Sequence, residues 1–149
     1  MKRADLYLLS TPSMSEQFDF CCRLCEKAVD EFQRIHIQTE QSTQNEALDS
    51  LLWTFKAESF LPHEVGQDNV GQGNKVLAPI IIDTEDLQAN AFLKNNLLIL
   101  LSSTLPENAE KFDRLCIVVR NHEADIQQAR QLYKQLAQQK IDVRIHDRR

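Results

Sequence analysis

Two rhythms of apolar positions alternate along this chain. Leu6-Tyr7-Leu8-Leu9 is a short continuous apolar run that suits a buried strand, and Ser10, Thr11 and Pro12 break it. Ser13-Met14-Ser15-Glu16 then has capping-box spacing, and Phe18, Cys22, Cys25, Val29 and Phe32 recur at helical intervals. Arg34-Ile35-His36-Ile37-Gln38 alternates polar and apolar, the pattern of a half-buried strand. A polar stretch leads into Ala47, Leu48, Leu51 and Leu52 on a second helix. From Trp53 to Lys75 no period persists, and all three glycines, Gly66, Gly71 and Gly73, fall there, so this interval reads as one long loop. Residues 76–82, 97–101 and 115–119 are apolar runs of strand length, as expected for strands covered on both faces. Residues 123–139 predict a helix with Ile126, Ala129, Tyr133, Leu136 and Ala137 as its apolar stripe, and residues 141–145 alternate as a closing edge strand. Strands alternating with helices predict a three-layer α/β/α fold around a largely parallel sheet. No repeat or low-complexity linker divides residues 1–149, so a single domain is expected.

Composition narrows the function. The chain of 149 residues is ordinary in apolar and charged content for a globular protein, which argues against disorder. Its net charge of −5 disfavours a nonspecific duplex binder, which needs a basic surface to neutralise phosphates. The longest apolar run, 76–82, is interrupted by Pro79 and falls far short of a membrane span. Asp5 and Tyr7 interrupt the place where a secretory h-region would begin, so a cytoplasmic protein is expected. The charge is unevenly spread: residues 1–113 hold nine basic against eighteen acidic residues, whereas residues 114–149 hold eight against four. The basic C-terminal quarter is a candidate anion-binding surface.

No enzyme signature emerges. A nucleotide cradle would need glycines between the first strand and first helix, where the sequence is Ser10-Thr11-Pro12-Ser13-Met14-Ser15. The cluster Gly71-Gln72-Gly73 lacks P-loop spacing and precedes a predicted strand. Cys22-Arg23-Leu24-Cys25 has C-x-x-C spacing, but two to three turns inside a helix, away from the N-terminal dipole that activates a redox thiol. With Cys21 and Cys116 these read as core thiols, and no metal or cofactor is expected. His36, His63, His122 and His146 fit no catalytic pattern, and Asp83, Glu85 and Asp86 read as a solubilising or capping cluster. Trp53, Phe55, Phe60, Leu61 and Pro62 concentrate large apolar groups in an otherwise polar segment, which suits either a protein-binding hot spot or a loop anchor.

Leu52-Trp53, followed by Glu58-Ser59-Phe60-Leu61-Pro62-His63, resembles the signature of the chi subunit family of bacterial DNA polymerase III. The opening Tyr7-Leu8-Leu9, and Ala129-Arg130 followed by Tyr133-Lys134, are similar to that family too, and element order agrees across nearly the whole chain. The resemblance implies a Rossmann-like fold without a nucleotide site and a noncatalytic replication adaptor of the clamp-loader complex with two protein contacts. Trp53, Phe60 and Pro62 match the surface for the psi subunit, or for a repair helicase in its place. Arg130, Tyr133 and Lys134 match the site for the acidic C-terminal tail of single-stranded DNA-binding protein, which ends in an aromatic residue with a free carboxylate. Arg130 and Lys134, four residues apart, share one helical face; Arg offers a carboxylate fork, Lys a point charge, and Tyr133 a wall for the terminal ring. Sequence-specific nucleic-acid binding is not expected. The chain departs from its relatives at Gln138-Gln139-Lys140, where they often carry a glycine, so a differently shaped pocket rim is expected. The alternative is an α/β nucleotide-binding domain or enzyme with an unrecognised site.

Overall fold

In a computed structural model of the chain, the described residues are 3–28, 31, 32, 34–39, 42–54, 63–65, 80–83, 96–101 and 112–149. They form β1 (Arg3–Leu8), α1 (Met14–Ala28), β2 (Arg34–Gln38), α2 (Ser42–Thr54), β3 (His63–Val65), β4 (Ile80–Asp83), β5 (Asn96–Leu100), β6 (Arg114–Val119), α3 (Glu123–Gln138) and β7 (Asp142–Asp147). Among these residues the strands make one sheet, ordered β3-β4-β2-β5-β6-β1-β7, and every pairing is parallel. Parallel neighbours cannot be joined by tight hairpins, so the chain crosses over a face between strands.

Each face of the sheet carries its own core. On one side Phe18, Cys21, Cys22 and Cys25 of α1 and Leu48 of α2 pack on Ile35, Ile37, Ile80, Ile82, Leu97, Ile99, Cys116 and Val118. On the other, Ala129, Leu132 and Leu136 of α3 and Phe112 pack on Ala4, Leu6, Leu98, Leu100, Leu115, Ile117 and Val119. The α/β/α layering and parallel sheet are therefore as the sequence pattern predicts. Strand β5 is buried along its whole length, which is why Leu97 to Leu100 form a continuous apolar run after Asn96.

Three expectations need correction. Strand β2 is not half-buried: all five of its residues are buried, with Ile35 and Ile37 in the core under α1 and α2 while the His36 ring meets Phe112 edge-on at 4.9 Å. Its alternation reflects two buried faces of different chemistry. The interval read as one loop contains an element, because α2 runs to Thr54 and His63–Val65 is an edge strand pairing with β4. Three residues are too few to display a period. Finally, the stripe of α3 is rotated: Leu132 is buried while Tyr133 is 38% exposed and Ala137 is exposed.

Helix α1 begins as its capping box predicts, with the Glu16 N–H donating to Ser13 Oγ at 3.3 Å. It ends at Ala28, before the Phe32 that the helical period had included. Helix α3 ends in a Schellman turn. The Lys140 N–H donates to Ala137 O at 3.1 Å and the Ile141 N–H to Leu136 O at 3.3 Å. Lys140 adopts φ 61°, the left-handed conformation for which glycine is the usual choice.

Candidate functional site

The parallel register of β1 and β7 sets Leu6 beside Ile145 and Leu8 beside Asp147. Side chains alternate along strands, so these four point to the face that α3 covers. Because α3 turns Ala129, Leu132 and Leu136 onto the core, its neighbouring flank carries Ile126, Arg130, Tyr133 and Lys134 toward the β7 edge. Helix flank and strands enclose a pocket of about 270 Å³, lined by Leu6, Leu8, Ile126, Ala129, Arg130, Tyr133, Lys134, Ile145 and Arg149. Its floor and walls are mainly aliphatic, and Ile145 (51% exposed) and Tyr133 (38%) leave apolar surface open to solvent. Among the described residues neither Arg130 nor Lys134 forms an ion pair, so both charges are available to a ligand. The third cation, Arg149, is engaged: its Nε donates to Asp147 Oδ1 at 3.0 Å and its Nη2 to Oδ2 at 2.9 Å. Hydrogen bonds from the Arg149 side chain and backbone bring the Asp147 carboxyl down to about 2.

The sequence reading had brought Arg130, Tyr133 and Lys134 together, and the structure sets all three around this one pocket. It had missed the strand wall and Arg149, whose membership depends on β1 and β7 being neighbours. The alternation of residues 141–145 was the available signal, since it left Ile145 facing somewhere, but only the register says that it faces Tyr133's side of the sheet.

The opposite face of β7 is fastened to β1. Asp5, fully buried, accepts from His146 Nε2 at 2.9 Å, from Arg3 Nη2 at 3.0 Å and from Arg114 Nε and Nη2 at 3.0 and 2.8 Å. Burial would raise this carboxyl, yet those hydrogen bonds outweigh it and hold the carboxyl below its ordinary value. The His146 ring stacks on Tyr7 at 4.6 Å, so an edge strand with one neighbour is held in a fixed register beneath the pocket.

The remaining candidates separate by place. The backbone of Trp53 lies in the last turn of α2, while its side chain, Phe60 and Pro62 lie outside the described residues, as do Gly66, Gly71, Gly73 and the Glu85 and Asp86 pair. All four cysteines are free thiols in the core; burial brings Cys22 and Cys116 up to about 12, and the hydrogen bond with Cys25, together with burial, raises Cys21. Burial of all four agrees with the core reading. At the carboxyl ends of the strands, where nucleotide-binding α/β sheets hold their ligands, the crevice beside Met14, Leu101, Val118 and Gln128 has only about 50 Å³. Arg120 and Asp125 pair across it at 2.9 Å, and small-molecule pockets usually need several hundred Å³. Among the described residues no helix is long and apolar enough to cross a membrane.

Comparison with known proteins agrees with the sequence resemblance. The family described as "DNA polymerase III chi subunit, HolC" matches residues 1–144. The DNA polymerase III subunit chi of Pseudomonas aeruginosa is 26% identical over 146 residues, covering 98% of this chain and 96% of that protein. The subunit of the same name from Escherichia coli K12 is 29% identical over 138 residues, covering 90% of each. With the match running from β1 through α3, Arg130, Tyr133 and Lys134 included, the chain belongs to the DNA polymerase III chi subunit family.

Proposed function

We propose that this chi-family chain, an accessory and noncatalytic subunit of DNA polymerase III, uses the α3–β7 pocket to bind the acidic C-terminal tail of single-stranded DNA-binding protein. The observation that carries this reading is an apolar cavity with Tyr133 on its wall and, on its rim, Arg130 and Lys134, which form no ion pair among the described residues. An aromatic terminal residue needs a greasy slot for its ring and a fork for its carboxylate, and the acidic residues before it need positive charge nearby. The pocket offers each within one helix flank. The same proposal includes a second contact, through Trp53, Phe60 and Pro62, with the psi subunit of the clamp loader or a repair helicase, supported by the resemblance of Leu52-Trp53 and Glu58-Ser59-Phe60-Leu61-Pro62-His63 to the family signature. Aromatic anchors of this kind dominate such interfaces. In this role the protein is cytoplasmic and couples protein-coated single-stranded DNA to the polymerase.

The test is a titration of the full chain with a fluorescent acidic peptide ending in Phe, at low and high salt. Saturable binding that weakens with salt is expected, together with a loss of roughly tenfold or more in Arg130→Ala. Trp53→Ala serves as a control that keeps peptide affinity. Unchanged affinity in Arg130→Ala would remove the pocket from the account.

A further inference from the structure

Resting on the peptide-binding reading above, we propose that Arg149 is a third carboxylate-binding residue of the pocket and that Asp147 is its resident competitor, displaced when an acidic peptide binds. Arg149 lines the cavity with Arg130 and Lys134, yet among the described residues it is the one of these cations already holding a carboxylate: its Nε and Nη2 donate to the two oxygens of Asp147. The register explains how. Asp147 pairs with Leu8 and so points to the same face as Leu6, Leu8 and Ile145, which puts a carboxylate beside a pocket lined by aliphatic groups, Tyr133 and cations. A carboxylate in a two-pronged contact with an arginine is the same geometry that a peptide carboxylate would adopt there. Both groups are exposed, so the internal pair is screened by water and exchangeable at small cost. Binding therefore trades one ion pair for another: the Asp147 carboxylate returns to solvent, and the peptide's takes its place on Arg149. A ligand with a single weakly placed carboxylate gains little by the exchange, while one presenting several gains the fork and keeps Arg130 and Lys134. Asp147 thus selects for densely acidic peptides.

The experiment measures affinity of the same labelled peptide for wild type, Asp147→Asn and Arg149→Ala, with melting temperatures to confirm equal folding. Asp147→Asn removes the negative charge and leaves a single neutral acceptor for Arg149, so binding should tighten roughly two- to fivefold, and Arg149→Ala should weaken it by a similar factor. A peptide with its acidic residues changed to Asn and Gln, keeping the free terminal carboxylate, should gain less from Asp147→Asn than the acidic one. Indifference to Asp147→Asn or to Arg149→Ala, with binding still dependent on Arg130, overturns this inference alone. A wild-type chain that does not bind the peptide overturns it together with the reading beneath it.

Discussion

His36 shows how one residue can couple the two cores. Its ring is buried on β2, Nε2 lies 3.4 Å from Asn96 Oδ1, and the ring edge meets Phe112. Burial lowers its pKa from 6.5 to about 4, so the folded protein holds it neutral where the unfolded chain would take up a proton. The sign follows from linkage: the contribution is fully present above pH 6.5 and is lost as pH falls toward 4, by about 3 kcal/mol in all. Denaturant unfolding across that range should show this slope in wild type and a flatter one in His36→Gln. Equal slopes would mean that the ring is hydrated in the folded state. Lys140 is a second residue-scale departure. Its left-handed backbone makes the turn for which glycine is the usual choice, and that turn carries the chain from α3 into β7.

At the scale of elements, the long periodic segments were legible and the short or two-faced ones were not. α1 and α3 each carry a stripe, and β5 and β6 are apolar after their first residues, Asn96 and Arg114, so their existence and order followed from spacing alone. The phase of α3 was not legible, because Tyr133 is as apolar in a pattern as Leu132 although its hydroxyl favours a wet edge. That phase decides the site: with Leu132 inside, the next residue opens onto the pocket. Leu132→Ala should cost about 2–3 kcal/mol of stability and leave peptide affinity nearly intact below melting. Tyr133→Ala should change stability by only about 0.5 kcal/mol while weakening the peptide. Thermal denaturation and peptide titration of the two variants check the assignment, and the reverse pattern would return Tyr133 to the core. The wall opposite α3 was illegible for a different reason. Leu6 and Ile145 lie far apart in sequence and meet only through parallel pairing, which no local pattern encodes.

Across the whole molecule, the basic C-terminal quarter resolves into distinct jobs. Arg114 neutralises buried Asp5, Arg120 pairs with Asp125, Arg144 pairs with Asp142 on the surface, and Arg148 lies over the Phe20 ring at 5.2 Å. Arg130, Lys134 and Arg149 gather at the pocket on the other face of the sheet. A chain of net charge −5 thus concentrates three cations at the pocket proposed for a short acidic ligand, while an acidic remainder is unfavourable to bare nucleic acid. The central claim is that the pocket reads a terminal carboxylate on an apolar residue. Its most direct measurement compares, on the wild-type protein at low salt, the acidic peptide with a free terminal carboxylate and the same peptide ending in an amide. The account predicts that the amide binds roughly tenfold or more weakly, having lost a charged hydrogen-bond acceptor at the fork. Equal affinities for the two peptides would contradict it.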